Sequence, residues 1–168
     1  MLDMAVDLHP LDDPWLTSLT AVAVTDADPT EVMPPVDGPP GWHPDSEAAF
    51  GDFHRARRAE RVRNTYVIAV DGHAAGSLRL DWIAPGVLET GLWIARSARG
   101  KGVGAEAIRL ALTEATTLGA TRVVAETTVD NHGSRGALRR NGAAFTIDGD
   151  AVTAVFDLPK PLSSRACP

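Results

Sequence analysis

Leu92-Trp93-Ile94-Ala95-Arg96-Ser97-Ala98-Arg99-Gly100-Lys101-Gly102-Val103-Gly104 reads as a strand, a tight glycine-rich turn and the start of a helix. The glycines remove the side chains that would hold a ligand away from the backbone. The helix that follows aims its unpaired N–H groups and the positive end of its dipole at the same spot. Two oxyanions of a pyrophosphate suit that place. A plain strand-to-helix connection has the same local pattern, so the flanks have to decide.

Upstream, Asn64 to Val70 and Ala74 to Leu80 are strand-like and joined by Asp71-Gly72, a pair that favours a tight hairpin turn. Pro85-Gly86 makes the next turn, into a strand from Val87 to Ile94. Three short-linked strands imply an antiparallel meander before the glycine turn. A dinucleotide-binding fold would instead place that turn after the first strand of a parallel series. Downstream, Ala107, Ile108, Ala111, Leu112, Ala115 and Leu118 keep helical spacing, and Gly119 suits the residue after the helix end. Arg122 to Thr127 follows as a strand, Ser134 can cap a short helix from Arg135 to Asn141, and 143–147 and 151–157 form a closing hairpin.

Before the meander, Ala5 to Leu11 suits a first strand, and Asp12 or Asp13 can cap a helix with Pro14 in its first turn, running to about Val24. From Thr25 to Pro44 the chain is dense in proline and acid and reads as a long loop, either functional or a solvated surface loop. Asp45 opens a helix through Phe50, Phe53 and Ala56. Its other face carries Arg55, Arg57, Arg58, Arg61 and Arg63, a solvated face or a contact for RNA, a ribosome or an acidic partner.

Arg99 to Gly104 matches the R/Q-x-x-G-x-G/A signature of the GNAT superfamily of N-acetyltransferases, and the strand before it resembles that family's fourth strand. Asn131-His132-Gly133-Ser134, with Leu138 and Gly142, resembles the run that closes the acetyl-CoA site there, so the likeness spans residues 87–145. Glu89-Thr90-Gly91-Leu92-Trp93 is similar to the E-I-G-Y-W segment of members that modify ribosomal-protein N-termini.

The resemblance implies an α+β fold: three layers, αβα, around a mixed, mostly antiparallel, twisted sheet of about seven strands splayed between the fourth and fifth. It implies one domain over residues 1–158, with 159–168 a polar tail. The activity implied is transfer of an acetyl group from acetyl-CoA, the cosubstrate, to a primary amine, without a metal. Backbone amides of Gly100, Lys101, Gly102, Val103, Gly104 and Ala105 would cradle the pyrophosphate, Arg99 and Lys101 would balance its charge, and edge groups of Trp93 and Ile94 would pair with the pantetheine amides. Asn131 would hydrogen-bond the pantetheine arm; it also reads as a turn residue after Asp130. Glu89 would take the amine proton through a water, against the plain reading of a solvent-facing sheet glutamate. Ser134 would protonate or hydrogen-bond the coenzyme sulfur as well as cap its helix.

Two positions depart from the family. Leu138 stands where many members have a proton-donating tyrosine, and Ala143 where phenylalanine usually follows the glycine. The only tyrosine, Tyr66, lies on an earlier strand. A non-catalytic acyl-CoA sensor is therefore a second reading. A dinucleotide-dependent oxidoreductase with Glu126 on the ribose is a third, weakened by the missing last glycine of G-x-G-x-x-G.

At 168 residues, a single domain is expected. A net charge of −6 argues against general nucleic-acid binding and suits a cationic, amine-bearing acceptor. The lone Cys167 forms no intrachain disulfide, and the acidic start and absence of a long apolar run lead to an expected cytoplasmic protein with no membrane contact, a monomer or homodimer. His9, His43, His54, His73 and His132 show no pair at helical ligand spacing, so no metal site is expected.

Overall fold

The structure, a computed structural model, describes residues 3–160. Positions 161–168 of the expected tail, including Cys167, lie outside the described residues. The elements run β1 (Val6–Pro10), α1 (Asp13–Asp26), α2 (Pro29–Val32), α3 (Pro44–Ala59), β2 (Arg63–Val70), β3 (His73–Ala84), β4 (Val87–Ile94), α4 (Val103–Thr117), β5 (Arg122–Thr128), α5 (His132–Arg140), β6 (Ala144–Asp148) and β7 (Ala151–Asp157).

All seven strands join one sheet in the order β1-β2-β3-β4-β5-β7-β6. Only β4 and β5 run parallel; every other pair is antiparallel. This mixed sheet, layered between helices, is the α+β architecture expected. It is not the parallel, doubly wound sheet that a dinucleotide-binding fold needs. The Asp71-Gly72 turn has φ of 50° and 80°, the paired positive angles of the expected hairpin turn.

Alternation along the strands gives the sheet two apolar faces. One packs Leu78, Leu80, Leu88 and Val123 against Ala107, Ile108 and Ala111 of α4. The other brings Val67 and Trp93 under Leu16 and Leu19 of α1 and Phe50 of α3. Both α4 and α5 end on a left-handed glycine, Gly119 (φ 89°) and Gly142 (φ 85°). In each, the next residue donates back into the last turn, Ala120 to Ala115 and Ala143 to Leu138.

Three expectations need correction. First, α1 runs to Asp26, and the acidic stretch after it contains a one-turn helix. Asp28 caps α2 by accepting from Thr30 N–H at 2.9 Å, and Glu31 reaches back to Asp28 N–H. Second, the short helix after β5 starts at His132, not Arg135. Its cap is Asn131, whose Oδ1 accepts from Ser134 N–H at 3.0 Å, because that side chain reaches the free amides of the first turn from one residue outside it. Ser134 therefore sits inside the helix. Third, α3 stops at Ala59, so Arg61 and Arg63 lie beyond it, and the basic run is largely neutralised. Arg57 is buried on Asp81, Arg58 pairs with Asp13, Arg55 with Asp52 and Arg63 with Glu60.

Candidate functional site

β4 and β5 pair from Val87–Arg122 to Thr90–Ala125 and then part. Past that point each strand remains bonded on its far side, Trp93 with Ser77 of β3 and Thr127 with Val152 of β7. The two facing edges are left without a strand partner. The parting opens a cleft of about 750 Å³, within the range typical of ligand sites.

The floor of its wide end is the glycine turn. Gly100 and Gly102 have φ of 74° and 84°, and a Cβ on either would meet nothing within 4 Å, so the space above the backbone is open. Gly102 caps α4, and the first bond of that helix runs from Glu106 N–H to Gly102 C=O at 3.1 Å. The amides of Gly102 to Ala105 thus have no backbone acceptor among the described residues and face outward at a positive helix end. Gly104 serves packing as well: a Cβ there would stand 3.3 Å from Ile94 Cδ1.

The cleft brings together Trp93, Ile94, Arg99, Gly100, Gly102, Val103, Gly104, Ala105, Asn131 and Ser134. Two of the predicted residues are absent from its lining. Lys101 is exposed just outside it. Glu89 lies on the still-paired part of β4, opposite Val124, where it forms a 2.6 Å ion pair with Arg79. The Ile94 carbonyl is also engaged, accepting from Arg99 Nε at 2.8 Å. The oxygen of Asn131 holds Ser134 N–H, which leaves its amide nitrogen as the group free to donate.

Several lining residues have no part in the acetyl-transfer expectation, and Glu126 figured only as the ribose contact of the oxidoreductase alternative. Glu126 of β5 is exposed in the cleft and has no ion-pair partner among the described residues. Because Glu89 and Val124 are register partners, alternation puts Glu126 on the same sheet face as Glu89, Gly91 and Trp93. That inference needed the β4–β5 register, which a parallel pair with a long crossover does not reveal locally. Glu31 lines the cleft from α2 and faces Arg99, Oε2 to Nη2 at 3.4 Å. Beside it Asp26 accepts from both the amide and the hydroxyl of Ser97, contacts that hold its carboxyl below the ordinary range. Arg140 of α5 closes the opposite wall. Two buried donors along the cleft, Trp93 Nε1 and Thr127 Oγ1, have no hydrogen-bond partner. Tyr66 is elsewhere: its hydroxyl donates to Glu114 of α4 at 3.0 Å, and burial together with that carboxylate pushes its pKa well up.

A sheet split between a parallel pair, with open strand edges leading to an amide cradle at a helix N-terminus, suits an extended ligand that ends in a phosphate group. The description "Acetyltransferase (GNAT) domain" matches residues 11–144, and the chain belongs to that family of acetyltransferases. Among solved structures it is similar to RimL, a ribosomal alpha-N-protein acetyltransferase in complex with coenzyme A (TM-score 0.72, 17% identity, 91% of this chain and 94% of that one). It is similar also to Campylobacter jejuni N-acetyltransferase PseH in complex with acetyl coenzyme A (0.69, 13%, 92% and 100%). A third is the Salmonella typhimurium acetyltransferase that modifies the N-terminal serine of a ribosomal subunit protein (0.68, 16%, 94% and 100%). No curated protein matches the chain by sequence. Among the described residues no helix is long and apolar enough to cross a membrane, and no three metal-ligating side chains cluster.

Proposed function

We propose that this chain transfers the acetyl group of acetyl-CoA directly to a primary amine, either a protein or peptide N-terminus or a small-molecule amine, in the cytoplasm. The observation that supports the reading best is the row of unpartnered amides from Gly102 to Ala105 at the end of a cleft with bare strand edges. Those amides suit a pyrophosphate, with Arg99 and Lys101 near enough to offset its charge. The bare strand edges past Thr90 and Ala125 give a polar arm backbone groups to bond along the way.

In the reaction the neutral amine attacks the thioester carbonyl, a C–N bond forms, the C–S bond breaks, and the amine nitrogen loses a proton while the thiolate gains one. We assign the first proton to Glu89 through a water and the second to Ser134. Asn131 supports the assignment of Ser134: by capping α5 itself, it frees the serine hydroxyl from that task. Glu126 adds a second carboxylate on the acceptor side, suited to holding the incoming group as an ammonium before it is deprotonated. The similarity to RimL favours an N-terminal amine.

A thermal-shift panel with acetyl-CoA, CoA, NAD and ATP tests the binding half, because a ligand bound only by the folded chain must raise its melting temperature. Stabilisation by the CoA species alone is expected; stabilisation by NAD alone would overturn the reading. Thiol release from acetyl-CoA over a panel of N-terminal seryl and alanyl peptides, spermidine and free amino acids then tests transfer. Binding without release from any amine would leave a sensor in place of an enzyme.

A further inference from the structure

Asp81 of β3 and Glu89 of β4 are register partners, so two carboxylates stand directly across from each other on one sheet face. Like charges in that arrangement repel, and Glu89 would swing away unless a cation lay between them. Arg79 supplies it. Its Nη1 sits 2.6 Å from Glu89 Oε1 and 3.3 Å from Asp81 Oδ2, bridging both carboxylates with one nitrogen. The guanidinium reaches that position by lying over Gly91, its own register partner. A Cβ on Gly91 would come within 2.9 Å of Arg79 Nε and 3.2 Å of Nη2. Arg79 is fixed in turn from behind. Asp81 is buried and takes Arg57 Nη2 of α3 at 2.7 and 2.9 Å, while Arg57 Nε donates to Thr65 at 3.2 Å. A line of alternating charges thus runs from α3 along one face of the sheet to the carboxylate beside the cleft.

We infer that Arg79 is a positioning residue for acetyl transfer, holding the Glu89 carboxylate beside the split, and that Gly91 leaves room for the guanidinium, which a Cβ there would push aside. The inference rests on the proposed proton-accepting role of Glu89. Arg79 itself does not line the cleft. Its loss leaves the coenzyme cradle at Gly100 to Ala105 intact and sets Glu89 loose beside Asp81. A misplaced proton acceptor lowers turnover and not affinity.

The experiment is a double-mutant cycle of Arg79→Met and Glu89→Gln, run with acetyl-CoA and the fastest acceptor from the amine panel, with coenzyme affinity measured separately by titration calorimetry. Arg79→Met is expected to lower kcat roughly 10- to 100-fold with the Kd for acetyl-CoA within about twofold of the parent. The double variant is expected to be no slower than Glu89→Gln alone. Multiplied losses in the double variant, or full kcat in Arg79→Met, would overturn the inference while leaving acetyl transfer standing. Full kcat in Glu89→Gln would overturn it as well. Failure of the parent to bind acetyl-CoA or to acetylate any amine would instead sink the function on which it rests. Should Arg79→Met fail to fold, Arg79→Lys and Gly91→Ala take its place. The first keeps a cation and is expected to recover part of kcat; the second keeps the arginine, displaces it and is expected to lose kcat. The opposite order, Gly91→Ala at full rate, would contradict the proposal.

Discussion

His54 is 3% exposed on α3, and neither ring nitrogen has a hydrogen-bond partner. Phe50 and Phe53 meet its ring edge-on at centroid distances of 4.6 and 5.1 Å. Burial, followed by the nearby Arg57 guanidinium, lowers its pKa to about 4. The unfolded chain takes up a proton near pH 6.5, which the folded chain accepts only near pH 4, so this histidine's contribution is complete above about pH 6.5 and is lost as pH falls toward 4. Urea unfolding is expected to show about 2 kcal/mol less stability at pH 5 than at pH 7 from this group, and His54→Leu is expected to flatten that slope. An unchanged slope in His54→Leu would place the acid sensitivity in other groups. Asp81 poses a related question without titration. It is the buried anion for Arg57, so Asp81→Asn strands a guanidinium in the interior and should lower stability by about 3 to 5 kcal/mol in the same unfolding measurement.

The α1–α2 corner and the glycine turn are tied together as elements. Asp26 holds Ser97, and Glu31, already engaged with the cap of α2, faces Arg99 across 3.4 Å. A carboxylate therefore stands beside a cation that a coenzyme phosphate would also use. Glu31→Gln removes that competitor while keeping its shape, and should tighten acetyl-CoA binding about two- to fivefold at low salt, a gain that shrinks as salt screens it. Titration calorimetry at two salt concentrations reads this directly, and weaker binding in the variant would show that Glu31 supports the turn instead of competing there. None of this corner could be read from the sequence, because its contacts join residues about seventy positions apart. The glycine turn, the meander and both glycine-ended helices were legible, since each depends on φ angles, turn pairs and helical spacing written within a dozen residues. Ser134 misled because serine and asparagine both cap helices. Geometry chose Asn131, three residues ahead of the amide it receives.

Taken whole, the molecule is a sheet in two wings. β1 to β4 form one and β5 to β7 the other, joined along the sheet only by the four register pairs from Val87–Arg122 to Thr90–Ala125, and from above by α4 and α5. Glu89 belongs to the seam, whereas Glu126 belongs to the opening, which is why the carboxylate conspicuous in a family motif and the one freely lining the cleft differ. A ligand whose arm bonds both bare edges would complete the sheet across the gap. At about 100-fold above its Kd, acetyl-CoA should add about 2.7 kcal/mol to global stability, which for a chain of this length raises the melting temperature by several degrees, about 2–4 °C per kcal/mol. The distribution of that gain discriminates more sharply than its size. Hydrogen exchange should slow most at Gly91 to Ile94 on one edge, Glu126 to Thr128 on the other and the turn from Gly100 to Ala105, while the outer pairing of β1 with β2 changes only as much as global stability does. Protection confined to the turn would mean that the phosphates dock without the arm entering the split, and the acyl group would then lie outside reach of Glu89 and Ser134.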